Sequence, residues 1–139
     1  MTSFSTETRL RVRYAETDQM GVAYHANYLV WMEVGRTDFC RACGFRYADM
    51  EAETETHLAV AEVHCRYLAS ARYDDDLIIT TSLKDIRSRM ATFHYVIIRA
   101  DTQTVLVEGE TVHVVTNKAG KSVRFPEKYR QLLTKNVEF

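Results

Sequence analysis

The sequence predicts an α+β domain, a five-stranded, mostly antiparallel sheet wrapped around one long central helix. Three observations carry this expectation. One strong helical pattern fills residues 25–43, a strand-period segment precedes it, and four strand-like segments joined by short turns follow it. Short turns favour antiparallel neighbours, and a sheet with an apolar face needs an apolar layer to cover it.

The elements follow in order. Residues 8–14, TRLRVRY, alternate Leu10, Val12 and Tyr14 with Arg9, Arg11 and Arg13, the period of a half-buried strand. Residues 15–24 break the pattern as a loop carrying Asp18 and Gly21. Over 25–43, Tyr28, Trp31, Met32, Gly35, Phe39, Ala42 and Cys43 share one charge-free helical arc. Glu33, Arg36, Thr37 and Arg41 lie opposite, and Gly44 is a C-terminal stop. Gly35 weakens the helix but lets another backbone approach closely.

Residues 46–57 are polar, with room for one helical turn at 47–51. The segment 58–68 then places Ala59, Ala61, Val63, Cys65 and Tyr67 on one strand face. Residues 77–86 align Leu77, Ile79, Thr81 and Leu83, and 91–99 align Phe93, Tyr95 and Ile97. Residues 104–116 form a long β-branched run in which Gly109 marks a bulge or bend. Turns are expected at 72–76, 87–90, 100–103 and 117–120. Pro126 opens a final helix over 126–133. The second sheet face also carries Val60, Ile78, Val96, Ile98, Val112 and Val114. One helix cannot cover both faces, so part of this surface is expected to meet another subunit.

A chain of 139 residues fits one domain, taken here as 1–139. Hydrophobic residues at 46% exclude a disordered chain, and one Pro with five Gly excludes a linker-rich one. A net charge of −1 speaks against nucleic acid as a partner. No apolar run approaches the roughly 18 residues of a membrane span, and the N-terminal stretch has no leader-like apolar segment. Three Cys without such a leader point to reduced thiols and a cytoplasmic location.

The segment VRYAETDQMGVAYHANYLVWMEVGR, residues 12–36, resembles the signature of hotdog-fold acyl-CoA thioesterases of the 4-hydroxybenzoyl-CoA thioesterase type, including the Tol-Pal-associated branch. The pattern comprises Thr17 and Asp18, Gly21 and Val22, Tyr24 and His25, Asn27 and the helix that follows. Residues 62–83 and 107–115 also look like the family, and the likeness spans about 7–134. The resemblance implies a hotdog architecture in homodimers that often pair into homotetramers. It implies hydrolysis of a CoA thioester to free acid and CoA without metal or other cofactor. It also places the site between two protomers, at the start of the central helix.

Hydrolysis of an activated carbonyl needs a carboxylate to attack or to activate water, donors for the oxyanion, and a groove for the acyl chain. Asp18 lies within seven residues of the helix start and supplies the carboxylate. From spacing alone, a loop cap is the favoured reading of Asp18; the resemblance favours the catalytic one. The first helical N–H groups lack intrahelical partners and carry the positive end of the dipole. This makes the backbone N–H near Tyr24 and His25 an oxyanion donor, as the resemblance also implies. His25 could donate to the carbonyl or to water, or hold Asp18. The resemblance gives Tyr14 a hydroxyl that supports the site; by its period it is an inward strand aromatic. Asn27 and Tyr28 would brace the loop or line the acyl pocket. Glu62 resembles an acidic family position on a neighbouring strand. The resemblance sets Arg87, Ser88 and Arg89 near the CoA nucleotide, with Arg66, Arg72 and Lys121 as weaker candidates.

Other patterns carry no chemistry. Cys40 and Cys43 sit inside an apolar helix, without the context of a redox or zinc motif. His64 and Cys65 point to opposite strand faces, and Asp74, Asp75 and Asp76 are too close together for a calcium loop. Two other functions fit the same fold, a non-catalytic acyl-CoA-binding module and a hydratase or dehydratase. An acid before the helix, followed by His25, favours hydrolysis.

Overall fold

A computed structural model describes residues 4–137. Residues 1–3, part of the stretch searched for a leader, and 138–139 lie outside the described residues. Strand β1 (Ser5–Arg11) is followed by a 3-10 turn (Tyr14–Glu16), helix α1 (Asn27–Ala42) and helix α2 (Tyr47–Thr54). Strands β2 (Thr56–Tyr67), β3 (Asp76–Ile86), β4 (Met90–Arg99) and β5 (Val105–Asn117) come next, then helix α3 (Glu127–Thr134). The strands form one antiparallel sheet in the order β1-β3-β4-β5-β2. This is the expected α+β arrangement, with α1 packed on β1, β3 and β4. Among the described residues, no helix is long and apolar enough to cross a membrane.

The inward residues of the hairpins, Leu77, Ile79, Leu83, Phe93, Tyr95 and Ile97, are all buried against Tyr28, Trp31, Met32 and Phe39 of α1. At Gly35 the helix approaches the sheet closely. A Cβ there would stand 2.5 Å from Thr81 Oγ1 and 2.9 Å from Ile79 Cγ2. Both neighbours are stiff β-branched side chains, so the crowding has no easy relief. Gly35→Val is expected to destabilise the fold by about 3 kcal/mol. Thermal denaturation checks this; an unchanged Tm would contradict the close approach.

Four local expectations are corrected. Strand β1 stops at Arg11, so the alternation does not reach Tyr14, which is 77% exposed and rests edge-on against Tyr73. Ala42, placed on the apolar arc, is exposed at the last turn of α1. Gly109 is neither a bulge nor a bend: it pairs in register with Cys65 and Tyr95, and the irregularity on β5 falls beside Val105. Glycine is needed there because a Cβ would meet Met32 Cε at 2.5 Å and the His64 carbonyl oxygen at 3.1 Å. Finally, β2 carries a bulge at Ala61, between Val60 and Glu62. It shifts the phase, so Val60 lies opposite buried His113, and Val63, Cys65 and Tyr67 lie opposite Thr111, Gly109 and Val107.

The core contains one polar chain. Arg36 Nη1 donates to the Tyr95 hydroxyl (3.0 Å), which shares a hydrogen bond with Thr111 Oγ1 (2.6 Å). Thr111 Oγ1 lies 2.8 Å from His113 Nε2, and His113 Nδ1 lies 3.2 Å from the Leu58 carbonyl oxygen. Only Nδ1–H can serve that carbonyl, so Nε2 accepts from Thr111. Burial, then the Arg36 charge, push the His113 pKa down to about 4. The ring therefore stays neutral in the fold while an unfolded chain takes up a proton below pH 6.5. The corresponding stability is complete above pH 6.5 and is lost as pH falls toward 4, by up to about 3 kcal/mol. Urea unfolding of His113→Gln is expected to show a flatter pH dependence across that window; an equal slope would contradict it. Cys40 and Cys43 are buried free thiols, pushed up to about 12 and about 11 chiefly by burial, which suits packing rather than redox chemistry.

Candidate active site

Beyond β1, the chain folds back against the start of β3. Val12 N–H donates to Asp75 O (2.9 Å), and Ala23 N–H donates to Ala71 O (2.8 Å). Within this loop Glu16 is only 6% exposed. Its carboxylate accepts from Arg13 N–H (2.8 Å) and Trp31 Nε1 (2.9 Å). Burial pushes its pKa up, but the Arg13 backbone, the Trp31 indole and the Arg13 guanidinium outweigh this and hold it below the ordinary carboxylate value. Its own carbonyl accepts from Tyr24 N–H and from Asn27 Nδ2, each at 2.8 Å.

Asp18 occupies the tight turn that follows. Oδ1 accepts from Met20 N–H (2.8 Å), and Gly21, at φ +80°, closes the turn. No group among the described residues bonds Oδ2. One oxygen of the side chain thus caps the turn, and the other is left without a partner among the described residues. Helix α1 begins nearby without a side-chain cap at Ala26. Tyr24 N–H is taken by Glu16, and Asn27 N–H donates to Tyr24 O. The His25 and Ala26 N–H groups have no acceptor among the described residues. Of the two amides expected to serve an oxyanion, His25 is therefore the open one.

A cavity of about 310 Å³ joins these parts, lined by Asp18, His25, Tyr28, Tyr67, Leu68 and Ser70, with Val22, Ala23 and Ala69 between them. The Tyr67 hydroxyl donates to the His25 carbonyl (3.0 Å), and the Tyr28 hydroxyl accepts from Ala71 N–H (3.0 Å). Burial, followed by Cys65, pushes the Tyr67 phenol up to about 12, so it remains a donor. The His25 ring is exposed and lies tilted against Tyr24, with ring centres 4.5 Å apart. A carboxylate oxygen, open amides and an imidazole around one cavity can polarise a carbonyl and attack it, or activate water beside it.

The other candidates are scattered. Tyr14, against expectation, presents its ring to solvent outside this cavity. Asn27 braces the loop through Glu16, whereas Tyr28 both lines the cavity and packs in the core. Glu62 is exposed on β2, 3.4 Å from His64. The turn with Arg87, Ser88 and Arg89 is at the opposite end of the β3–β4 hairpin from the Asp18 loop. An eleven-residue strand separates the two ends, roughly 35 Å. Within one chain, therefore, the turn does not adjoin its own cavity. Arg87 pairs with Asp85 (3.1 Å), and Arg89 donates to Ser122 O (2.8 Å). Sequence reasoning missed Glu16, Tyr67 and Ser70. Glu16 stands two residues before Asp18 as one more acid in a loop, and nothing local in the sequence links it to Trp31.

Residues 12–133 match the family model described as the thioesterase-like superfamily. The chain is 40% identical over 90 residues to the protein named putative acyl-CoA thioesterase YneP of Bacillus subtilis, covering 65% of this chain and 64% of that relative's length. It is 35% identical over 105 residues to the acyl-CoA thioester hydrolase YbgC of Shigella flexneri, covering 76% of this chain and 77% of that one. The crystal structure of hypothetical protein TT1821 from Thermus thermophilus superposes with a TM-score of 0.90 at 33% identity, covering 98% of this chain and 100% of that one. The matched stretch takes in the loop, the central helix and β2 to β5, and on that ground the chain belongs to the thioesterase-like superfamily, with its hotdog fold.

Proposed function

We propose that the protein is a thioester hydrolase that cleaves acyl-CoA esters to the free acid and CoA. The observation that carries this reading is a carboxylate with an unbonded oxygen and an uncapped helix start on the same cavity. The thioester oxygen would sit at the His25 N–H, where the helix dipole adds to the donor and one such amide contributes about 3–4 kcal/mol in the transition state. Asp18 Oδ2 then either attacks the carbonyl carbon, giving an anhydride that water opens, or takes a proton from water as it attacks. In both routes the C–S bond breaks, CoA leaves as thiolate and water supplies the acid's new oxygen. No metal or other cofactor enters either route.

A second copy completes the site in this reading. Strand β2 has a free outer edge, and Val60, Val63 and Tyr67 on its core-side face are 54%, 41% and 47% exposed. Leu29, Val30 and Val34 of α1 are also exposed. An open strand edge with exposed apolar residues is a ready template for pairing with another strand. Pairing β2 with its own copy would close the cavity at Tyr67 and Leu68, and bring a partner surface to Asp18. The 87–89 turn would reach a CoA nucleotide only from another copy. Buried free thiols fit a reducing, cytoplasmic compartment.

Thiol release from a panel of acyl-CoA esters, followed with a thiol-reactive dye, tests the reading. Turnover of at least one ester is the expected result. Saturable binding without thiol release would favour the acyl-CoA-binding module, and a change at an acyl C=C bond without thiol release would favour a hydratase.

A further inference from the structure

We infer that Glu16 is a positioning residue that fixes the open amides of α1 against the Asp18 loop. This rests on the thioesterase reading of the same cavity.

The head of α1 is built without the usual capping side chain. A helix normally begins at Ser, Thr, Asp or Asn, whose side chain satisfies its first N–H groups. Here Ala26 stands at that position, and Asn27, one residue on, turns its side chain away to the Glu16 carbonyl. The helix mouth therefore has no side-chain cap of its own, and the orientation of the open His25 and Ala26 N–H groups just before it is left to some other group. Glu16 is the group that reaches every part of it. Its carbonyl holds Tyr24 N–H and Asn27 Nδ2, the residues on either side of the open amides. Its carboxylate holds Trp31, buried in the next turn of α1, and the Arg13 backbone at the end of the sheet. Asp18 follows two residues later on the same short loop. One residue thus joins the sheet, the helix mouth and the reactive turn. A buried carboxylate is costly unless every bond to it is made, and this one is bonded at both oxygens. It lies outside the residues that line the cavity, so it acts through His25 and Asp18 rather than on the substrate.

Glu16→Gln keeps the size but places an NH₂ against one of two N–H donors, so one bond is lost. Trp31→Phe removes one of the same bonds and leaves the charge, which serves if the first variant does not fold. Misplaced donors cost the transition state more than the ground state. Steady-state thiol release is expected to show kcat lower by about 10–100-fold in Glu16→Gln with KM within about threefold, and a smaller fall in Trp31→Phe. Amide hydrogen exchange is expected to quicken at Tyr24 while β3 and β4 keep their protection. Unchanged kcat, or a fall in kcat matched by faster exchange throughout the sheet, would overturn the inference. If the wild-type protein cleaves no ester, the thioesterase reading fails on its own. The exchange comparison still decides for Glu16, since Tyr24 protection unaltered in both variants would overturn it.

Discussion

Asp18→Asn is expected to lower kcat for thiol release by about 10³-fold or more while leaving KM, oligomer size and Tm close to wild type. The reason lies in the two oxygens of this side chain. Oδ1 accepts from Met20 N–H at 2.8 Å, a bond that asparagine keeps through its own carbonyl oxygen. The turn at Gly21 therefore survives. Oδ2, which no described group bonds, becomes an NH₂ that can neither attack a carbonyl nor take a proton from water. Loss of kcat at constant KM is the signature of a group used only in the transition state. Turnover near the wild-type rate in Asp18→Asn would remove the carboxylate from the mechanism.

The second large effect is expected at the free edge of β2. Val63 faces the core side of the sheet opposite Thr111 yet is 41% exposed, because α1 packs chiefly over β1, β3 and β4 and α2 covers only the start of β2, where Thr56 and Leu58 are buried. If a second copy covers it, Val63→Arg buries two unpaired charges, one from each protomer. At roughly 3–5 kcal/mol for an uncompensated buried charge, the pair would fall apart at micromolar concentration. Light scattering is expected to show a monomer, and thiol release is expected to drop with it because the cavity at Tyr67 and Leu68 loses its far wall. The site in each separate chain would still be folded, which a Tm within a few degrees of wild type would show. A monomeric variant with full activity would place the whole site in one chain.

The sequence made much of this fold legible because its strongest signals are periodic and local. The arc through Tyr28, Trp31, Met32 and Phe39 and the alternation through Leu77, Ile79, Phe93 and Tyr95 each correspond to buried faces. Gly35 also stands where a close approach was expected. What escaped depends on neighbours distant in sequence. The bulge at Ala61 carries no Gly or Pro to mark it. Tyr14 continues the alternation of its strand in sequence, but the ladder to β3 has already ended at Arg11. Asp18 and His25 are singled out in the sequence by likeness to a family, and both line one cavity ahead of the start of α1. Tyr67 and Ser70 reach the cavity from the end of β2 and the loop beyond it, and the partner of Glu16 is an indole fifteen residues away. The basic cluster at 87–89 is legible as a turn, but which end of the sheet it occupies follows from the β3–β4 pairing, which sets it away from the Asp18 loop.

The central claim is that the open amides at the start of α1 polarise the thioester carbonyl beside Asp18. Vibrational spectroscopy of an acyl-CoA labelled with ¹³C at the thioester carbonyl, bound to the slow Asp18→Asn variant, measures this directly. The account expects the carbonyl stretch to move to lower frequency on binding, as hydrogen bonding and the helix dipole weaken the C=O bond. A bound ester whose carbonyl stretch stays at its value in water would contradict it.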